Sequence, residues 1–269
     1  MKLKKNKVYE ALYISDIHYL MDNKIKEHSN RELFKMLGML RKRNVKFQKF
    51  ILVGDVIENW FFSATKKLKK KRKSLNRLFD RFEKVCLSTT EKVYLVGNHD
   101  AVRYDMRLPQ MIEDYLKDRG WEICEVYETG KIVAAHGHQG QYGKIFWFVN
   151  IGILRLFYFL AGLFPDLYRI CEDFYRKHFN FDRHNTREQM IAYYSRLSRV
   201  VNQKDRLLIS GHTHQFLHLD DLKVINTGDW VESRTFVVQD DDSFFGLRYE
   251  GTKKFVKEFK YRHMSVKSS

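Results

Sequence analysis

Residues 50–55, FILVGD, set the reading of this chain. A short apolar run that stops at a glycine and an aspartate is the pattern of a buried strand running into a turn. The pattern recurs at 8–15 (VYEALYIS), 92–97 (KVYLVG), 131–136 (KIVAAH) and 206–211 (RLLISG). Helical periodicity fills the early gaps. One pattern over 29–43 puts Leu33, Met36, Leu37 and Leu40 on one face, and another begins near Lys66 and ends near Cys86. Strands alternating with helices predict a largely parallel, buried sheet and an α/β fold. After Gly211 strands follow without helices, at 223–227, 234–239, 244–249 and 255–260. There is no internal repeat.

Composition bounds the rest. A chain of 269 residues with 44% hydrophobic residues and two prolines can bury one substantial core, without long disordered tails. Cys86, Cys124 and Cys171 are odd in number and lack CxxC spacing, which excludes a disulfide framework or a zinc knuckle and points to a reducing compartment. The first apolar run contains Asp16 and His18, so it is not the uninterrupted stretch that an export signal needs, and the expected location is cytoplasmic. The formal net charge of +16 favours anionic partners: nucleic acid, an anionic membrane surface or a phosphorylated substrate.

Each of the five strand candidates ends in residues able to hold a metal. They are Asp16-Ile-His18, Gly54-Asp55, Gly97-Asn98-His99-Asp100, His136-Gly-His138 and Gly211-His212-Thr-His214. An aspartate alone after a strand is commonly a turn or helix cap, and a lone buried histidine is commonly a hydrogen-bonded core residue. Five such runs in succession are different. The carboxyl ends of parallel strands form one crevice, so motifs distant in sequence meet there. Carboxylate, imidazole and amide oxygen together suit manganese, iron or zinc rather than calcium. A carboxylate can bridge two ions.

The series D-x-H, GD, GNHD, H and GHxH resembles that of the calcineurin-like metallophosphoesterases, from about residue 8 to 227 apart from an insertion. The resemblance implies a β-sandwich flanked by helices and hydrolysis by water activated between two divalent ions, manganese first, with iron or zinc as alternatives. Asp16, His18 and His214 would hold one ion; Asn98, His136 and His212 would hold the other; Asp55 would bridge. His99 would stabilise the transition state or protonate the leaving oxygen, oriented by Asp100. His138 is a candidate substrate contact.

Residues 139–201 read as a helical, aromatic-rich insertion or lid between the fourth and fifth motifs, the core being 1–138 and 202–269. Its last helix opens on a capping box, Thr186 to Gln189, with Met190, Tyr193, Leu197 and Val200 as the apolar face. Residues 145–164 (IFWFVNIGILRLFYFLAGLF) are as long as a membrane span. Arg155 in the middle would cost about 2.5–3.5 kcal/mol on insertion. A single crossing would also put His136 and His212, ligands of one ion, on opposite sides of the bilayer. The run must fold back, as a hairpin seated on a membrane or as a cap on the core.

The run 66–73 (KKLKKKRK) is basic at seven positions of eight, and Tyr168, Arg169, Tyr175, Arg176, Lys177 and His178 continue the aromatic-basic mixture. Alone, such a run is commonly a solvated helix face; beside an apolar lid it would attract anionic lipid. GDxxxxW from Gly54 to Trp60, the insertion, and NTGDW at 226–230 look like the UDP-2,3-diacylglucosamine pyrophosphohydrolases of lipid A biosynthesis. That resemblance implies a peripheral enzyme on the cytoplasmic face of the membrane, cleaving a nucleotide diphosphate-lipid to UMP and lipid phosphate. Trp60, His138, Arg155, Tyr168 and Arg169 would be its substrate-binding residues. Those enzymes commonly carry arginine where this chain has His99. The alternatives are a soluble phosphoesterase for nucleotides, phosphoproteins or nucleic acid, and a catalytically silent binding module.

Overall fold

A computed structural model of the chain describes residues 3–19, 24–59, 64–101, 107–140, 186–251 and 254–262, with side chains throughout except 24–29 and 64–71. The chain opens on β1 (Val8–Ile14), α1 (Lys24–Lys42), β2 (Lys46–Val53), α2 (Ala64–Glu83) and β3 (Cys86–Leu95). The three strands are parallel neighbours, β1 to β2 and β2 to β3. After α3 (Gln110–Asp118), β4 (Glu122–Cys124) adds in parallel to β3.

A second sheet then begins. It contains β5 (Val126–Glu128), β6 (Ile132–Ala135), β7 (Leu207–Ser210), β8 (Phe216–Leu219) and β9 (Val224–Thr227), in the order β5-β6-β7-β9-β8. Between β6 and β7 lies α4 (Arg187–Val201). The chain returns to the first sheet as an antiparallel meander of β10 (Thr235–Asp240), β11 (Ser243–Tyr249) and β12 (Phe255–Arg262), which joins the free edge of β1. That sheet therefore runs β12-β11-β10-β1-β2-β3-β4.

The β-sandwich flanked by helices that the resemblance implies is what forms, with the motif-bearing strands divided between its two sheets. Three motif-bearing strands, β1, β2 and β3, sit in one sheet, and β6 and β7 sit side by side in the other. The physical reason is visible in the side chains. Successive residues of a strand point to opposite faces, and here both faces of both sheets are covered. Ala11, Tyr13, Ile51, Val53, Val93 and Leu95 meet Ile132, Ala134, Leu207, Ile209 and Ile225 in a core between the sheets. Their alternates, Leu12, Ile14, Phe50, Leu52 and Tyr94, pack with Leu33, Met36, Leu37 and Leu40 of α1 and with Leu78, Phe79 and Phe82 of α2. On the far side, Val133, Ala135, Leu208 and Val224 pack with Tyr193, Tyr194, Leu197 and Val201 of α4. The result is four layers, helix on sheet on sheet on helix. Each fully buried Leu, Ile or Phe contributes about 1.5–3 kcal/mol.

Helix α4 carries the predicted capping box: Thr186 Oγ1 accepts from Gln189 N at 3.2 Å, and Gln189 Oε1 accepts from Thr186 N at 3.3 Å. Its buried face differs from expectation at one position. Val200 is 58% exposed, and Tyr194 and Val201 take the buried side with Tyr193 and Leu197. This helix falls inside the 139–201 range and forms the fourth layer of the sandwich. Residues 141–185, with Arg155, Tyr168 and Arg169, lie outside the described residues, as does Trp60. Among the described residues no helix is long and apolar enough to cross a membrane.

Candidate metal centre

The turns that follow β1, β2, β3, β6 and β7 are laced to one another by backbone and side-chain bonds. Asp16 N donates to Gly54 O at 3.0 Å and His18 N to Asp55 O at 2.9 Å, which carries the β1–β2 ladder on through both motifs. Asp55 Oδ1 accepts from His99 N at 2.8 Å, so the second motif fixes the third. Gly211 N donates to His136 O at 2.9 Å, and His212 N donates to Asp16 Oδ2 at 3.1 Å, so the fifth is tied to the fourth and the first.

The motif glycines permit this closeness. A Cβ on Gly97 would lie 2.2 Å from Asp55 Oδ1, and one on Gly211 would lie 2.6 Å from Asp16 Oδ2. Asp16, His18, Asp55, His212 and His214 all have φ between +48° and +72°. Non-glycine residues held in that left-handed region cost about 1 kcal/mol or more each, and such positions cluster where geometry serves function.

Two triads result. The ligand atoms of Asp16, His18 and His214 lie within 4.8 Å of one another, and so do those of Asp55, His136 and His212. These six residues come together as their motifs predict, and Asn98 sits buried on the turn that Asp55 fixes. Asp16 Oδ1 lies 3.2 Å from His214 Nε2, and His136 Nε2 lies 3.1 Å from Asp55 Oδ2. Yet among the described residues neither Asp16 Oδ1 nor His136 Nε2 has a partner in line for a hydrogen bond. Buried lone pairs converging on common points, rather than on each other, are what cations would satisfy. The donor set therefore fits two borderline divalent ions.

Electrostatics agree. Burial works against the Asp16 carboxylate, but His214 and His136 outweigh it and hold it down to about 2. Burial opposes a charge on His136 too, yet Asp55 pushes that imidazole up to about 10. His214 is also raised against burial, by Asp16. Burial and the neighbouring His136 push His212 well down. The Asp55–His136 and Asp16–His214 pairs thus each favour positive charge beside a buried aspartate, which is what a cation would supply.

His99 has a partner that the sequence reading missed. Glu58 is fully buried, and its Oε2 lies 2.9 Å from His99 Nδ1 and 3.0 Å from His18 Nδ1. His99 and His18 overcome burial to hold this carboxyl down to about 2. The assignment of Asp100 is corrected accordingly. Its Oδ1 accepts from Ile57 N at 2.8 Å and from Tyr94 Oη at 2.6 Å, and its Oδ2 accepts from Gly97 N at 2.9 Å. Asp100 braces the turns, and Glu58 is the carboxylate at the His99 ring. The signal was present as an acidic residue three positions after Asp55. His138 lies partly buried beside the second triad, its ring 5.7 Å from that of His136 and 6.4 Å from that of His212. Burial and His136 push its imidazole down to about 3. Within 226–230, Asn226 and Trp230 are wholly buried, and Trp230 N donates to Asp16 O at 3.2 Å. That run supports the site from behind.

Two adjacent carboxylate–imidazole triads at the end of a four-layered sandwich define a metal-dependent phosphohydrolase. The chain belongs to the calcineurin-like phosphoesterase family, whose sequence profile matches residues 11–216. No curated protein matches it. Among solved structures it is similar to a dimetal phosphatase from Danio rerio, at 10% identity and a TM-score of 0.42, over 93% of this chain and 98% of that one. It is also similar to a predicted phosphoesterase from Streptococcus pneumoniae, at 14% identity and a TM-score of 0.31, over 93% and 97%.

Proposed function

We propose that this centre hydrolyses the diphosphate of a nucleotide-linked lipid, of the UDP-2,3-diacylglucosamine kind, giving a nucleoside monophosphate and a lipid phosphate. Asp16, His18 and His214 would hold one divalent ion and Asn98, His136 and His212 the other, with Asp55 shared, and the ions, manganese first, would supply Lewis acidity and lower the pKa of water. The chain's own residues do the rest. Glu58 holds His99 through Nδ1, which turns the opposite edge of the ring, with Nε2, to the reacting phosphate. There it donates a proton or hydrogen bond to the leaving oxygen.

The observation that carries the lipid reading is the position of the apolar run 145–164. It is bounded by the His138–Gly140 turn, directly after the ligand His136, and by Thr186 at the start of α4. An apolar stretch that follows a candidate ligand so closely in the chain suits a substrate with acyl chains, and its many aromatic residues suit interfacial depth. The basic run at 66–73 adds attraction to an anionic membrane, so the enzyme would work as a peripheral protein on the cytoplasmic face. The net charge of +16 alone favours a second reading, in which the substrate is a nucleotide, a phosphoprotein or nucleic acid.

Mass spectrometry of products separates the two. The manganese-loaded enzyme is offered UDP-2,3-diacylglucosamine beside UDP-glucose and a dinucleotide. UMP and lipid phosphate formed from the acylated substrate first is the expected result. Equal or faster turnover of the unacylated compounds would overturn the lipid assignment and leave the second reading.

A further inference from the structure

We infer that Tyr193 and Tyr194 of α4 are positioning residues for one half of the metal centre, the half built on His136 and His212, and that their hydroxyls raise metal affinity there more than at the other half. The inference rests on the two-metal reading of the site and not on the lipid substrate.

These are neighbouring residues, and both are buried, yet each reaches a different ligand loop. Tyr193 Oη donates at 2.7 Å to Gly137 O, the carbonyl of the residue immediately after His136. Tyr194 Oη lies 3.2 Å from Thr213 Oγ1, the residue between His212 and His214. Asn226 Nδ2 donates to Tyr194 Oη at 2.8 Å and to Gly211 O at 2.6 Å, which closes the second attachment around the start of the His212 loop. The rings of Tyr193 and Tyr194 meet edge to face at 4.9 Å, so the two hydroxyls are held at a fixed spacing. The imidazoles they serve, His136 and His212, are themselves 5.0 Å apart.

The first triad is anchored differently. Asp16 and His18 are tied to the β2 turn and His18 to Glu58, and Asp16 Oδ2 accepts from His212 N at 3.1 Å, which is where the two halves meet. His214 shares the Thr213 loop but faces Asp16. One helix therefore bonds both loops that carry the imidazoles of one subsite, at Gly137 O and Thr213 Oγ1, while the His136 ring itself has Nδ1 2.9 Å from Val53 O. Groups behind metal ligands typically change affinity about 10- to 100-fold when removed.

The test uses Tyr193→Phe, Tyr194→Phe and the double variant, which keep the rings and remove only the hydroxyls. Manganese alone is the probe, with stepwise affinities from titration calorimetry and occupancy from electron paramagnetic resonance. Wild type is expected to take two ions and to show the signal of a coupled pair. The double variant is expected to bind one ion as before and the other about 10- to 100-fold more weakly, with the coupled signal replaced by that of an isolated ion. Val201→Ala, which trims the buried far end of α4, serves as the packing control. It should lower the melting temperature and leave both affinities alone. Unchanged affinities in the folded double variant, an equal loss at both sites, or the same selective loss in Val201→Ala would each overturn the inference. Wild type binding a single ion would instead sink the two-metal reading beneath it.

Discussion

A carboxylate with no solvent exposure loses several kcal/mol of hydration and must recover it from its neighbours. Glu58 does so through two imidazoles, His18 on one side and His99 on the other. It thereby joins His18, a proposed metal ligand, to His99, the side chain proposed to act on the leaving group. Replacing the carboxylate with an amide of the same shape should uncouple the two. Glu58→Gln is expected to reach full manganese occupancy at saturating metal but to turn over a simple phosphodiester about 10²- to 10⁴-fold more slowly. Fully loaded Glu58→Gln with wild-type turnover would remove Glu58 from this role. The proton on His136 makes a second prediction. Its imidazole is pushed up to about 10 in the metal-free protein, so at neutral pH metal must displace a proton. Affinity should rise about tenfold per pH unit for each proton displaced, in the range below that value. Calorimetric titration of manganese in buffers of different ionisation enthalpy counts the protons released. A count of zero with pH-independent affinity would contradict the charge arrangement described.

At the scale of elements, what could be read in advance followed from local physics, and what could not depended on distant packing. The five motif-bearing strands were legible because each is a short apolar run closed by a polar residue or a glycine: Ser15, Gly54, Gly97, His136 and Gly211. Their convergence was legible because parallel strands put their carboxyl ends together. Their division between two sheets came from the family resemblance and was not legible in the apolar pattern itself. Strands covered on both faces lose the alternation that would reveal an exposed side, so 131–136 and 206–211 read like 50–54. The strands β4, β5 and β8, with three to four residues each, carry too little pattern to stand out. The same divide runs through the site. Asp16, His18, Asp55, His136, His212 and His214 were found because their types and spacing are chemical. Glu58 and Asp100 are both acidic and both follow a motif, so only coordinates show which one reaches His99. Tyr193 looked like an apolar face residue, and its hydroxyl gave no hint of Gly137.

For the whole molecule, the question is where the net charge of +16 acts. Much of the basic surface is locally paired, as where Arg119 spans Asp80 and Glu83, or Lys131 meets Asp242. Exposed pairs of this kind are worth about 0–1 kcal/mol each and do little beyond cancelling charge. The first half of α2 is different. It begins at Ala64, shortly after Asp55 and Glu58, has no acidic residue in its first turn, and carries the run 66–73. Cations at the positive end of a helix dipole cost the fold a few tenths of a kcal/mol each, so folding does not explain their placement. An anionic partner is what we propose for them. Since α2 follows in the chain the turn that carries Asp55, an anionic surface that met this run would also present substrate. Each lysine near anionic lipid is worth about 1 kcal/mol. The protein is therefore expected to float with vesicles rich in phosphatidylglycerol at low ionic strength. Release should come near about 1 M salt, where screening shortens to about 3 Å. Changing Lys66, Lys67, Lys69 and Lys70 together to Gln should weaken flotation about 10²-fold or more while leaving hydrolysis of a small water-soluble phosphodiester intact. Protein that stays at the bottom of the gradient at low salt, yet binds single-stranded DNA with steep salt dependence, would assign this charge to a nucleic-acid backbone and the site to the second reading.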